Sequence, residues 1–450
     1  MPETLSALSA DLAAGRIRSE ALTEAAVARA RDPDGEGARV FVAHAGDRAL
    51  AAARASDALR AAGAARSPLE GLPISVKDLF DIAGETTRAG SVVLSDAPPA
   101  ARHATIVARL IAAGAVLVGR TNMTEFAYSG LGLNPHYGTP LNPYDRATGR
   151  IPGGSSSGAA VSVTDGMAAA AIGTDTGGSV RIPAALCGLA GFKPTARRVP
   201  ARGTLPLSTS LDSIGPLAPS VACCALLDAV LSGDEREAPE PADLRGLRLA
   251  VPTTLVLDGV DETVGAAFRA ALSALSAAGA VVTEIAVPEF AGLARINTHG
   301  GLPGAEAWAW HRALIARDGA RYDPRVRLRI ERGAAMVAAD YVDVLHARTA
   351  WIADVERRIA PFDALVLPTV PVVAPPLAPL VADDGLYGAA NVLILRNPTL
   401  INFLDGCALS VPCHAPGTAP VGLMIAGAGG TDRRILAIGM AVETALAATR

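Results

Sequence analysis

Leu110-Ile-Ala-Ala-Gly114-Ala-Val-Leu-Val118 and Leu275-Ser-Ala-Ala-Gly279-Ala-Val-Val282 read alike. In each, an Ala-rich run of helical character reaches a glycine and an apolar, β-branched run follows at once. Glycine ends helices because, lacking a Cβ, it turns the chain through the left-handed region without cost. A helix closed in this way and leading straight into a strand is the unit of α/β proteins rather than a 20–50-residue repeat. Outward from these two stretches the pattern continues. Residues 4–31 carry helical periodicity, broken near Gly15 and stopped by Asp32-Pro33-Asp34-Gly35, and another Ala-rich helix spans about Gly46 to Ala62. Leu72-Pro-Ile-Ser-Val76 is a short β-rich run that delivers Lys77 at its end. Leu247–Val251 is a further strand, before a helix opening at Asp261 or Glu262. The charged, Pro-containing residues 233–246 read as a surface excursion or linker. Both sides of that segment are α/β in character, so the expectation is one large α/β domain over residues 1–450.

Composition narrows the function. Half of the 450 residues are hydrophobic and 19% are charged, which suffices for a sizeable core and excludes wholesale disorder. A formal net charge of −4 offers no field for nucleic acid or an anionic membrane, and the Arg-rich patches at 197–202 and 325–332 are short. Five unpatterned cysteines suggest a reducing compartment rather than a disulfide framework. Glu3 and Asp11 sit where a signal peptide would need a basic and then an apolar run. The longest apolar stretch, Ala364 to Ala382, holds Pro368, Pro371, Pro375, Pro376 and Pro379 and is no spanning helix. A cytoplasmic protein is expected.

Of the 40 basic residues only Lys77 and Lys193 are lysine. In an Ala/Arg/Gly-rich chain, a lysine that persists is a candidate for something arginine cannot do. Arginine keeps its proton in proteins, whereas a desolvated lysine becomes a neutral base.

Residues 149–191 contain ten glycines in 43 residues, over twice the chain average. Such a stretch presents backbone N–H groups without side-chain obstruction. It is no flexible linker, because Met167 to Ile172 in its middle is apolar. Two serines stand in glycine surroundings, Ser155 and Ser179. Gly154-Ser155-Ser156-Ser157-Gly158 matches the G-x-S-x-G nucleophile elbow in form, but a loop, not a buried strand, precedes it. The phosphate-cradling G-x-x-x-x-G-K-[ST] motif and Ser-x-x-Lys are absent, and the seven histidines are scattered. No metal site or cofactor is expected. The remaining option is a serine nucleophile whose base is not histidine. Lys77 is available, provided that burial lowers its pKa by roughly two to three units from about 10.4. Spacing alone does not bring it to Ser155 or Ser179.

Several stretches resemble the amidase signature enzymes, a Ser–Ser–Lys hydrolase family. They are Gly71-Leu-Pro-Ile-Ser-Val-Lys77-Asp78, Gly119-Arg-Thr-Asn-Met123-Thr-Glu-Phe126, Pro152-Gly-Gly-Ser155-Ser-Ser-Gly158, Gly173-Thr-Asp-Thr-Gly-Gly-Ser179-Val-Arg181-Ile-Pro183 and Gly191-Phe-Lys-Pro-Thr195. Leu409-Ser-Val-Pro-Cys413 and Pro420-Val-Gly-Leu423 extend the likeness, which is dense over residues 66–220, the catalytic core segment. The resemblance implies one mixed β-sheet sandwiched between helices. It also implies Ser179 as the acylated nucleophile, Ser155 as a bridging serine after a cis peptide bond from Gly154, and Lys77 as the base. The backbone N–H groups of Thr176, Gly177, Gly178 and Ser179 would form the oxyanion hole; Lys193, Asp175 and Arg181 would be structural.

The activity implied is hydrolysis of a small-molecule carboxylic amide to an acid plus ammonia or an amine, without cofactor or metal. An alternative is the glutaminase (A-type) subunit of a tRNA-dependent amidotransferase, since Tyr322 to Gly333 vaguely resembles the region that supplies a carboxylate-binding arginine there. Met123, Tyr128 and the His136-Tyr137 pair are candidates to shape the acyl pocket, with ordinary packing as the competing role. A homodimer and a partner-dependent subunit both stay open, and so does the choice among aryl-acetamide, aliphatic and glutamine substrates.

Overall fold

A computed structural model describes residues 2–236 and 238–448, so of the 233–246 segment only residue 237 falls outside the described residues. Among the described residues eleven strands form one sheet. They are β1 (Phe41–His44), β2 (Pro73–Lys77), β3 (Val116–Thr121), β4 (Ala170–Asp175), β5 (Ala190–Lys193), β6 (Ser213–Ala218), β7 (Arg248–Pro252), β8 (Val281–Ile285), β9 (Ala364–Pro368), β10 (Cys407–Pro412) and β11 (Gly422–Gly427). The order across the sheet is β1-β3-β2-β4-β6-β5-β10-β11-β9-β7-β8. The pairs β3–β2, β2–β4, β9–β7 and β7–β8 are parallel and the rest antiparallel, which makes the sheet mixed, as expected for one α/β domain.

Both faces of the sheet are covered. Along β11, Leu423 and Ile425 enter one core while Met424 and Ala426 enter another, and along β9 Val366 and Leu367 divide in the same way. Successive side chains of a strand point to opposite faces, so a strand buried on both sides reads as a continuous apolar run.

The two helix–glycine–strand phrases form as read. The helix Thr105–Ala112 is followed by Gly114 at φ 91° and then β3; the helix Glu262–Ala277 is followed by Gly279 at φ 98° and then β8. Asp261 caps the second helix, its Oδ1 accepting from Val264 N at 2.7 Å, the usual remedy for the unpaired first N–H groups. The break at Gly15 separates the helices Leu5–Ala13 and Ser19–Arg31. Among the described residues, 233–246 hold no helix or strand, and no helix is long and apolar enough to cross a membrane.

Candidate active site

The parallel pairing of β2 with β4 (Val76 opposite Ile172) brings Lys77 and Thr174 to the same end of the sheet. Two loops open there. One carries Ser155 ahead of the helix Ser157–Thr164, and the other carries Ser179 between β4 and the helix Arg181–Cys187. The carboxyl ends of parallel strands are where α/β sheets usually place their sites.

Lys77 is fully buried. Its Nζ lies 2.8 Å from Ser155 Oγ and 2.9 Å from Thr174 Oγ1, and no carboxylate is within hydrogen-bond reach among the described residues. Asp78, its neighbour in sequence, points elsewhere: its carboxylate accepts from Arg120 Nε at 2.7 Å and from Gly90 N at 3.0 Å. Burial among neutral partners pulls the Lys77 ammonium down to about 7, against the opposing charges of Asp212 and Asp175. The Gly154–Ser155 peptide bond is cis, as the resemblance implies. The Ser155 loop is held by Gly154 N donating to Gly130 O at 2.8 Å and by Thr124 N donating to Ser155 O at 3.1 Å. Ser179 lies beside this loop, its carbonyl accepting from Ser156 N at 3.3 Å. It lines a cavity of about 200 Å³, and its hydroxyl makes no hydrogen bond among the described residues.

Asp175 knots the loop that carries Ser179. Its carboxylate accepts from the backbone N–H groups of Gly178 (2.8 Å), Val180 (3.1 Å) and Arg181 (3.3 Å), and from Arg181 Nε and Nη2 at 3.0 and 2.8 Å. Asn402 Nδ2 adds a further bond at 2.9 Å. Although burial opposes ionisation, the Arg181 guanidinium and these donors hold the Asp175 carboxyl far below the usual carboxylate range. Asp175 and Arg181 are wholly buried, so exchanging Arg181 for methionine strands a charge. The expected loss of stability is about 3–5 kcal/mol, read from the midpoint of a urea transition. Gly178 has φ 123°, and a Cβ there would come within 2.6 Å of Pro398 Cβ and Ile182 Cδ1, so no other residue fits the turn.

This knot changes one expectation. Thr176, Gly177 and Gly178 are all in place on the loop, but the Gly178 N–H is already given to Asp175. The N–H groups of Thr176, Gly177 and Ser179 make no hydrogen bond among the described residues. Lys193, also buried, donates to the carbonyls of Pro194 (2.8 Å) and Gly406 (2.6 Å) and touches neither serine. Ser156, the middle of the G-x-S-x-G match, is buried after a loop with no strand before it.

The cavity wall differs from expectation as well. Tyr128 lines it, but Met123 does not. A tight turn over Glu125–Ala127 separates them, and Met123 packs in the core against Gly90. His136 is occupied by Glu125, Nε2 to Oε1 at 2.8 Å, and Tyr137 likewise lies outside the wall. Leucines and a phenylalanine that the sequence left unassigned complete it, with two arginines of the Tyr322–Gly333 stretch. Leu207, Leu211, Leu395 and Phe403 make it apolar, and Arg329 and Arg332 bring charge. The Arg329 guanidinium stands 5.0 Å from the Tyr128 ring centroid. Neither arginine forms an ion pair among the described residues. Among those residues no group of three or more His, Cys, Asp or Glu side chains is placed to hold a metal ion.

The Amidase family matches residues 21–436. Two relatives are similar over most of the chain. The A-type subunit of glutamyl-tRNA(Gln) amidotransferase from Chloroflexus aggregans is 36% identical, covering 98% of this chain and 96% of that protein. The 2-amino-5-chloromuconic acid deaminase of Comamonas testosteroni is 38% identical over 88% of this chain and 86% of its own length. A crystal structure of an amidase superposes with a TM-score of 0.88 at 34% identity, covering 98% of this chain and 99% of that one.

Proposed function

The chain belongs to the amidase family, and from that premise we propose that it hydrolyses a small carboxylic amide carrying a second, anionic group, through an acyl-enzyme on Ser179. The observation that carries the reading is Lys77 Nζ, buried without a carboxylate partner among the described residues, 2.8 Å from the hydroxyl of Ser155 and beside a serine that faces a cavity. Neutral Lys77 accepts the proton of Ser155, which accepts that of Ser179 as its Oγ bonds to the amide carbon. The N–H groups of Thr176, Gly177 and Ser179 receive the oxyanion. When the C–N bond breaks, the proton returns from Lys77 through Ser155 to the leaving nitrogen. Water then gives a proton to the same relay and cleaves the ester, releasing the acid and restoring Ser179.

The anionic group follows from Arg329 and Arg332. Two guanidiniums without carboxylate partners among the described residues, on a wall of mainly apolar surface, suit a substrate carboxylate a few carbons from the amide. The compounds in both relatives' names, glutamyl-tRNA and 2-amino-5-chloromuconic acid, carry a carboxylate. The first supports a second reading, a glutaminase subunit that passes ammonia to a partner.

The test is ammonia release by the purified chain alone from glutaramate, glutamine and neutral butyramide. Glutaramate is expected to have the higher kcat/KM over butyramide. Exchanging Arg329 and Arg332 for glutamine is expected to raise KM for glutaramate by about 10- to 100-fold, the worth of a hydrogen bond to a charged group, with butyramide little changed. Equal losses on both substrates would refute the carboxylate assignment. Turnover of glutamine only after a second subunit is added would favour the glutaminase reading.

A further inference from the structure

β4 and β6 run antiparallel, and their pairing ends at Asp175 opposite Ser213. The next residue on each side, Thr176 and Asp212, therefore meet just beyond the sheet. Thr176 Oγ1 donates to Asp212 Oδ1 at 2.5 Å, while Asp212 Oδ2 accepts from Leu207 N at 2.9 Å and Ser208 N at 3.1 Å. One carboxylate thus ties the turn that holds the free N–H donors to the segment that lends Leu207 and Leu211 to the cavity wall. A second carboxylate clamps that segment from outside: Glu306, on the helix Gly301–Asp318, accepts from Ser208 Oγ, Ser210 Oγ and Tyr341 OH.

We propose that Asp212 is a positioning residue for the reaction, acting through Thr176 to set the oxyanion donors against the wall that grips the acyl group. The proposal rests on the acyl-enzyme reading of Ser179. It joins substrate fit to carbonyl polarisation, because a shift of Leu207 or Leu211 is passed through Asp212 to Thr176. The position also matters to the base, since Asp212 is the stronger of the two anionic influences favouring the ammonium form of Lys77, Asp175 being the other. The charged and titratable groups around Asp212 are Lys77 on β2, Asp175 at the end of β4, Glu306, Tyr341, and Arg348, whose Nη1 donates to Ser210 O. Burial pushes the Asp212 carboxyl up to about 6, with Glu306 adding to it and the bonds from Thr176, Ser208 and Leu207 opposing.

Two variants separate the tie from the charge. Thr176→Val keeps shape and charge but removes the tie; kcat is expected to fall by about 10- to 100-fold, the scale of a misplaced catalytic group, with KM little changed and the acid limb of the pH profile in place. Asp212→Asn keeps the hydrogen bonds, its amide donating to a rotated Thr176 hydroxyl, but removes the charge. The acid limb of kcat/KM is expected to move to lower pH, because the ammonium form of Lys77 loses a neighbour that favoured it. Labelling of Ser179 by a fluorophosphonate is measured alongside. If Thr176→Val keeps wild-type kcat, the positioning role is overturned while labelled Ser179 keeps the acyl-enzyme reading intact; a folded Asp212→Asn that leaves the limb unmoved overturns the influence of the Asp212 charge on Lys77. Wild-type protein that takes no label at Ser179 removes that reading and this inference with it. Should Asp212→Asn fail to fold, Thr176→Val decides alone.

Discussion

Lys77→Arg is expected to lower kcat/KM by about 10²- to 10⁴-fold, nearly as much as Lys77→Met, because general base catalysis contributes on that scale and arginine supplies none. The expectation rests on what surrounds Nζ. Two neutral hydroxyls and full burial leave an ammonium poorly compensated, and the group titrates near 7. A base must lose its proton before it can work, so wild-type kcat/KM rises with pH through about 7 and then levels. The arginine variant has no such limb. An arginine enzyme within a few-fold of wild type, or a wild-type profile flat from pH 5.5 to 8.5, would sink the assignment of Lys77 as base.

The same burial makes a stability prediction of opposite sign. Between about 7 and the ordinary lysine value the unfolded chain binds a proton that the folded chain does not, so this group's contribution to stability rises with pH across that window. Well below pH 7 the cost of burying the ammonium is at its full value. Lys77→Met fills the site without a charge, so the inactive variant is expected to melt higher than wild type at pH 6, with the gap closing as pH rises. Function at this position is bought with stability, and calorimetry at two pH values reads the difference.

How much of this was legible before the structure depended on whether chemistry or geometry carried the information. Gly114 and Gly279 ended their helices as read because the requirement is local: a left-handed residue between a helix and a strand. Lys77 stood out because its surroundings replaced lysine with arginine everywhere but twice. Met123 was misplaced because closeness to Tyr128 in sequence says nothing of which side of the Glu125–Ala127 turn a residue faces. Gly178 differs from expectation for a similar reason. Composition shows that a glycine can present its N–H, but only the folded loop shows that Asp175 has taken it. Asp212 had no local signal; it meets Thr176 across an antiparallel strand pair whose register appears only in the sheet. Arg329 and Arg332 were visible as an Arg-rich run, but the run does not say which members lack an anion.

Ser179→Ala is expected to abolish turnover, by about 10⁵- to 10⁶-fold in kcat, while leaving the fold untouched. The two halves of this expectation come from one observation. The Ser179 hydroxyl has no hydrogen-bond partner among the described residues and lines the cavity. Removing it deletes the nucleophile yet strands no buried donor or acceptor, so stability should change by less than about 0.5 kcal/mol. Ser155→Ala is different in kind. It removes one of the two hydroxyls at Lys77 Nζ and leaves Thr174 alone there, so activity and the titration of the lysine should both change. A fluorophosphonate followed by peptide mass spectrometry locates the nucleophile directly. The adduct is expected on Ser179, absent from Ser179→Ala, and slow to form in Lys77→Met. An adduct on Ser156 instead would restore the G-x-S-x-G reading, despite the loop that precedes it. An adduct on Ser155 would exchange the two roles, making the residue bonded to Lys77 the attacking one and Ser179 a bystander facing the cavity.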